Sequence, residues 1–341
     1  MATQAISIPA AERLMHMGDG LILHQSVHAA AKLGIADLLA SGPCSTAELA
    51  AELQVNQDAL FRLLRFLVGQ GIFEQSATCV FAQNSLSHYL RSDVPGSLRA
   101  QFIFKGGSYF LPPFQEILCS VQTGRPARER ILGMEGFEYL RQNPEQARTF
   151  DDAMTSVSSL TAPAIAAAYD FGAWDSLMDV GGGNGILLSE ILKVHSNLRG
   201  VLADQPHVLD RARERGFLGG GLAARASFAD CDFFREVPQG CRAYMMKSVI
   251  HDWNNEDAHR ILVNCREATP NNGALLLIEW DLPEDSAPSR GKSADLVMMV
   301  LTGGKERTIE EYRTLLRGAG FALNKVTPTG AELNLIEALP V

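Results

Sequence analysis

The chain has 341 residues, 46% of them hydrophobic, which is enough to build two cores rather than one. A formal net charge of −9 and a pI near 5.4 argue against a nucleic-acid partner, because such modules carry a basic face. The six cysteines form no CxxC pair or His/Cys cluster, and no apolar run approaches a membrane span, so a soluble cytoplasmic protein that handles small molecules is expected, with no membrane and no metal.

From Gly18 to Leu39 apolar residues recur at helical spacing, among them Leu21, Ile22, Val27, Ala30, Ile35 and Leu38. Ser45 and Glu48 form a capping box before the next helix, and Asn56 caps another whose Leu60, Leu63, Leu64 and Leu67 make one apolar face. Ile72–Phe73 and Cys79–Phe81 then supply the two arms of a small hairpin, completing a winged-helix outline over residues 1–105. A DNA-binding or cofactor-sensing regulator is the rival reading. Its helix offers only Arg62 and Arg65 among Glu48, Glu52, Asp58 and Glu74, too little positive surface for a run of phosphates. The apolar helices instead predict a homodimer through this domain.

Residues 106–170 read as a helical linker dense in aromatics, contributing to an acceptor pocket. Phe150 and Met154 lie one helical turn apart, so both side chains point the same way, into core or into a pocket wall. Over 171–341 short apolar runs alternate with helical segments, the pattern of a doubly wound α/β sheet. Strands are expected at Leu177–Val180, Gly200–Ala203, Ala226–Phe228, Ala243–Val249 and Ala274–Trp280, and the tail FALNKVT, PTGAE, LNLIEALP closes as an antiparallel hairpin. Each strand ends beside polar residues: Asp204, then Asp230 and Asp232, then His251 and Asp252, then Glu279. Ligands of open α/β sheets lie at the carboxyl ends of the strands, so these side chains should converge.

The stretch LMDVGGGNG, Leu177–Gly185, is a strand, a tight turn and a helix start. A dinucleotide fingerprint would need a third glycine at Ile186 or Leu188, and neither position supplies it. What remains is GxGxG after an acidic residue, with Gly181 and Gly183 allowing a close backbone approach, a pattern associated with S-adenosylmethionine. Asp204, 23 positions after Gly181, suits ribose hydroxyls; Asp232, preferred over Asp230, suits an adenine amino group with Phe233 on the ring. Lys247 either snorkels or reaches the cofactor. His251 is the candidate base, with Asp252, Glu279 and Glu306 available to fix its tautomer.

LMDVGGGNG, ADQPHV, CDFF, KSVIHDW, IEW and GGKERT stand in the order and at the spacings of the small-molecule O-methyltransferase family, which includes plant caffeate and flavonoid enzymes and bacterial antibiotic and phenazine tailoring enzymes. The resemblance covers most of the chain. It implies a seven-stranded Rossmann-like methyltransferase sheet behind a winged-helix dimerisation domain. It also implies transfer of the methyl of S-adenosylmethionine, leaving S-adenosylhomocysteine, to a hydroxyl of an aromatic or polyketide-like acceptor, without a metal. Residue by residue it implies Gly181, Asp204, Asp232, Phe233, Lys247 and Ser158 for the cofactor, His251 as base flanked by Glu279 and Glu306, and Phe150, Met154, Met298 and Met299 for the acceptor pocket. Two departures stand out: Cys231 replaces the usual glycine before Asp232, and LVMMVLTGG is shorter than in the plant enzymes. N-methylation, or recruitment of the fold to hydroxylation, decarboxylation or a pericyclic step, are the alternatives.

Overall fold

Ser45 Oγ accepts the Glu48 N–H at 3.2 Å and the Glu48 carboxylate accepts the Ser45 N–H at 2.9 Å, which starts the helix Thr46–Leu53. Asn56 starts Gln57–Gly69 by accepting the Ala59 N–H at 2.9 Å. Leu60, Leu64 and Leu67 on that helix meet Leu49, Phe73 and Phe81 in the core of a first unit that ends at Ser108. Strands β1 (Cys44–Ser45), β2 (Glu74–Ala77) and β3 (Val80–Ala82) pair antiparallel in the order β1-β3-β2. The first arm of the hairpin thus begins at Glu74, not at Ile72. Gly71 takes φ +75° and Phe73 drops its ring into the core, which commits Ile72–Phe73 to packing before the ladder opens. Leu14, Met15, Met17, Leu21 and Ile22, on the helices Ala10–Gly18 and Gly20–Leu33, stay exposed.

This computed structural model describes residues 9–280 and 282–341. Its second unit, Tyr109–Val341, begins with short helices, Leu111–Gln115, Ile117–Thr123, Ala127–Leu132 and Gly136–Gln142, and then a 25-residue helix, Pro144–Ala168. A seven-stranded sheet follows: β4 (Ser176–Val180), β5 (Arg199–Asp204), β6 (Ala226–Asp230), β7 (Ala243–Lys247), β8 (Ala274–Trp280), β9 (Phe321–Pro328) and β10 (Leu333–Pro340). Their order is β6-β5-β4-β7-β8-β10-β9, with the first five parallel and β10 antiparallel to both neighbours. The doubly wound sheet with a closing hairpin is therefore the observed fold.

Helix Ile186–Val194 covers one face through Leu187, Leu188, Ile191 and Leu192, while Ile261, Leu262 and Leu316 cover the other. Burial on both faces explains why β7 and β8 read as unbroken apolar runs. Strand β7 stops two residues earlier than its sequence suggests. Ser248 takes φ +53°, which breaks the ladder and turns the chain into a 3-10 turn, Ile250–Asp252. The strand order reverses at β4, so a crevice opens beyond its carboxyl end. Among the described residues no helix is long and apolar enough to cross a membrane.

Candidate active site

The loop after β4 is shaped for a ligand to lie against its backbone. Gly181, Gly183 and Gly185 have φ of +70°, +58° and +78°, values that L side chains rarely adopt. A Cβ on Gly181 would press Val249 at 3.0 Å, whereas one on Gly183 would enter open space. Asp204, the last residue of β5, holds this loop: its Oδ2 accepts the Gly183 N–H at 2.9 Å and its Oδ1 accepts the Gln205 N–H at 2.7 Å. Burial pushes its pKa up to about 6, with the two amides working against that rise. Asp179, at 1% exposure under Gly182, is pushed up to about 7 by burial and then by the Asp204 charge, and its Oδ1 has no hydrogen-bond partner among the described residues.

Around the loop, Asn184 Nδ2 donates to Thr155 Oγ1 at 2.8 Å, while its buried Oδ1 has no partner among the described residues. Lys247 does not snorkel. Its Nζ lies 3.3 Å from Ser158 Oγ, and burial lowers its pKa against the pull of Glu279 and Asp179. Phe233 stands 3.6 Å from where a Gly181 Cβ would be, while Asp232 is exposed and accepts the Phe234 N–H at 3.1 Å. Asp230 is exposed as well, and Cys231 is buried.

On the other side of β4, the turn after β7 carries His251. Glu279, at the end of β8, accepts the N–H groups of Val249 (3.3 Å) and Ile250 (3.0 Å) through Oε1, fixing the turn. Its Oε2 lies 3.5 Å from His251 Nδ1, and Glu306 Oε1 lies 2.8 Å from the same nitrogen. A carboxylate only accepts, so Nδ1–H donates to Glu306 and the ring keeps Nε2 as its acceptor. Nε2 has no hydrogen-bond partner among the described residues. His251, Glu279 and Glu306 are 7%, 0% and 1% exposed. Burial disfavours the imidazolium, but Glu279 and Glu306 outweigh it and push the His251 pKa up to about 10. Glu279 itself is pushed up to about 7 by burial. Asp252 does not bond the ring, and burial raises its pKa too.

The predicted acceptor residues have divided environments. Phe150 packs against Tyr109 (6.5 Å) and Phe137 (6.2 Å), whereas Met154, one turn on, is 37% exposed. Met298 takes the Thr302 N–H at 2.9 Å on its carbonyl, and Met299 packs beside Ala127, Val300 and Leu301. A cavity of about 370 Å³ beside the base turn is lined by Asp252, Trp253, Phe137, Glu135 and Thr302 among others, and by none of those four residues.

An O-methyltransferase domain model matches residues 114–322, and an O-methyltransferase dimerisation domain model matches 15–93. The chain belongs to the O-methyltransferase family. It is 39% identical to the phenazine O-methyltransferase of Lysobacter antibioticus over 99% of this chain and 98% of that one. Human N-acetylserotonin methyltransferase, solved with S-adenosylmethionine, is 26% identical with a TM-score of 0.90, covering 99% of each chain. An O-methyltransferase of neocarzinostatin biosynthesis, solved with S-adenosylhomocysteine and 1,4-dihydroxy-2-naphthoic acid, is 31% identical with a TM-score of 0.82, covering 100% of each. As a member of the family the protein is an S-adenosylmethionine-dependent O-methyltransferase.

Three parts of this candidate site are not apparent from the sequence. Arg307, 1% exposed, braces the base turn by donating to the carbonyls of Ile250 (3.1 Å) and Trp253 (2.8 Å) and to Asn255 Oδ1 (3.0 Å). Gly304 leaves room for that turn, since a Cβ there would overlap the His251 carbonyl and the Asp252 backbone. Asp151 of the long helix pairs with Arg211 of Pro206–Arg215 and ties the helix to β5 through the chain that follows it. The one available signal was the run GGKERT, whose basic residue sits directly after Glu306.

Proposed function

We propose that the protein methylates a hydroxyl of an aromatic, polyketide-like small molecule in secondary metabolism, with His251 as general base. The observation that carries this reading is the buried hydrogen bond from His251 Nδ1 to Glu306 Oε1 at 2.8 Å, with Glu279 behind it. Nδ1–H is thereby fixed and Nε2 is left to take a proton. A phenol-like hydroxyl titrates near pH 10. Glu279 and Glu306 raise the affinity of the ring for that proton and stabilise the imidazolium that forms when it is taken. Arg307 holds the turn that carries the ring, and Phe137, Phe150 and Trp253 offer flat apolar surface for an aromatic acceptor.

S-adenosylmethionine supplies an already activated methyl, so the chain must bind it, orient an acceptor and accept one proton. The residues fit that cofactor. Gly181 and Gly183 form a turn without Cβ atoms, and Asp179 Oδ1 and Asn184 Oδ1, without partners among the described residues, suit an ammonium. Asp204, with both oxygens already accepting backbone N–H groups, keeps further lone pairs for ribose hydroxyls. Asp232 and Phe233 would meet the adenine, and Lys247 with Ser158 the methionyl end. The exposed Leu14, Met15, Met17, Leu21 and Ile22 support a homodimer through the dimerisation domain. The six free cysteines fit a reducing cytoplasm, and chemistry at His251 proceeds without a metal.

Incubation with methyl-labelled S-adenosylmethionine and a panel of hydroxyarenes tests the proposal by mass spectrometry. Label on an acceptor oxygen is expected. Tight cofactor binding with no transfer to any hydroxyl, or transfer to nitrogen alone, would overturn it.

A further inference from the structure

Arg128 takes no part in the chemistry above, yet its setting is unusual. It lies on the short helix Ala127–Leu132, is 3% exposed, and its Nε and Nη2 have no hydrogen-bond partner among the described residues. A guanidinium cannot shed its charge, so a buried one with unmet donors calls for an anion. The seat is well formed. The guanidinium lies over the Tyr109 ring, 4.9 Å from the centroid, and against Gly136, where any Cβ would overlap it. Tyr109 Oη donates to the Gly136 carbonyl at 3.0 Å, joining these two walls.

Aromatic contacts lead from this seat to the base. Tyr109 meets Phe150 at 6.5 Å, Phe150 meets Phe137 at 6.2 Å, and Phe137 meets Trp253 at 6.0 Å, two residues beyond His251. Asp252, between them, feels the charges of both His251 and Arg128, but no ion pair joins it to Arg128. The two unmet donors share one edge of the guanidinium. Elsewhere in this chain that edge takes a carboxylate: Arg91 grips Asp93 through Nε and Nη2 at 2.8 and 2.6 Å, and Arg141 grips Glu138 at 2.7 and 2.5 Å.

We propose that Arg128 binds a carboxylate carried by the acceptor, so that the substrates are hydroxyarenes bearing an acid group, held by this fork while the hydroxyl meets His251. The proposal rests on the O-methylation reading for what fills the aromatic wall, and on Arg128 alone for the acid. The test compares 1,4-dihydroxy-2-naphthoate with its carboxamide, by calorimetric binding and by kcat/KM for methyl transfer, in wild type, Arg128→Met, Arg128→Lys and Gly136→Ala. Wild type should favour the acid by about tenfold or more in both readouts. The ratio should fall to about one in Arg128→Met and lie between in Arg128→Lys, which keeps the charge but not the fork. It should also fall in Gly136→Ala, where the new Cβ displaces the guanidinium. A wild type that shows no preference for the acid, or an Arg128→Met that keeps the wild-type ratio, overturns the proposal. Arg128-dependent preference in binding without methylation of either probe would sink the O-methylation reading and leave this one standing; methylation of both probes without preference would do the reverse.

Discussion

The two halves of the crevice handle their carboxylates in different ways. On the cofactor side Asp204 is held by backbone amides, Gly183 N–H on one oxygen and Gln205 N–H on the other. On the base side Glu279 and Glu306 face an imidazole. Amides do not titrate, so nothing that grips Asp204 changes with pH, and the first half loosens only on the acid side, where Asp204 itself takes a proton near 6. In the second half it is the ring that exchanges a proton, with Glu279 and Glu306 pushing its pKa up to about 10, so this half responds to pH on the alkaline side. Affinity and turnover should therefore be separable by substitution, and the most direct way to break the comparison is to show that they are not.

The largest effect is expected at His251. Replacing it by Ala should lower turnover by about 10² to 10⁴-fold, the usual range for losing a general base, with cofactor affinity little changed. Asparagine, which keeps much of the packing but not the basicity, should be nearly as impaired. Acceptors of graded acidity sharpen the result, since a hydroxyl that arrives ionised needs no base. Full activity of His251→Ala on weakly acidic acceptors would falsify the assignment.

Asp204→Ala tests the other half. It removes a charge-assisted contact and frees the Gly183 amide, so calorimetry should show S-adenosylhomocysteine binding weakened by about 1.5 to 3 kcal/mol. The pH at which activity rises should not move. A shifted pH profile with unaltered affinity would show the halves to be electrostatically one site.

Glu306→Gln should cost less, about tenfold or below in kcat, because the ring and Glu279 remain. Its diagnostic is the direction of the pH shift. His251 sits above an ordinary histidine because Glu279 and Glu306 outweigh the opposing effect of burial, so its neutral form gains ground only as pH climbs toward about 10. Removing one negative neighbour lowers that pKa, and the rising limb of activity should move to lower pH. A limb that stays or moves upward would show that Glu306 does not act on the ring.

The same contrast explains what the sequence made legible. The cofactor loop is contiguous, so GGGNG and the strand-end Asp204 announce themselves within one β-α-β unit. The central parallel strands are equally readable, because strands buried on both faces such as β7 and β8 are apolar runs, and the hairpin is readable from its two short runs around PTGAE. The base side is assembled from Glu279, His251 and Glu306 on three segments: strand-end positions suggested that the first two converge, while Glu306 was one of three carboxylates available to the ring, and the resemblance narrowed the flanking pair to Glu279 and Glu306. Arg307 and Arg128 escaped because an arginine in sequence reads as surface, and only packing shows one to be 1% and the other 3% exposed. The early end of β7 escaped for a local reason: nothing in KSVIH signals the left-handed Ser248.

The smallest expected effect is none, and it concerns metals. His251, Glu279 and Glu306 bring one nitrogen and two carboxylates within 4.8 Å of one another, a donor set that resembles a cation site. Their geometry favours a proton instead. Nδ1 and Glu306 Oε1 are 2.8 Å apart, a hydrogen-bond separation, whereas two ligands of a tetrahedral zinc at about 2.0 Å stand roughly 3.3 Å apart. Glu279 Oε1 is already occupied by two backbone amides, which leaves one oxygen to give. Exhaustive treatment with a chelator should therefore leave methyl transfer, its pH limb and the melting temperature unchanged, and added zinc should restore nothing. Loss of activity on chelation with recovery on zinc would replace the proton-exchanging base half by a metal centre, and the contrast with the amide-held cofactor half would have to be redrawn around that ion.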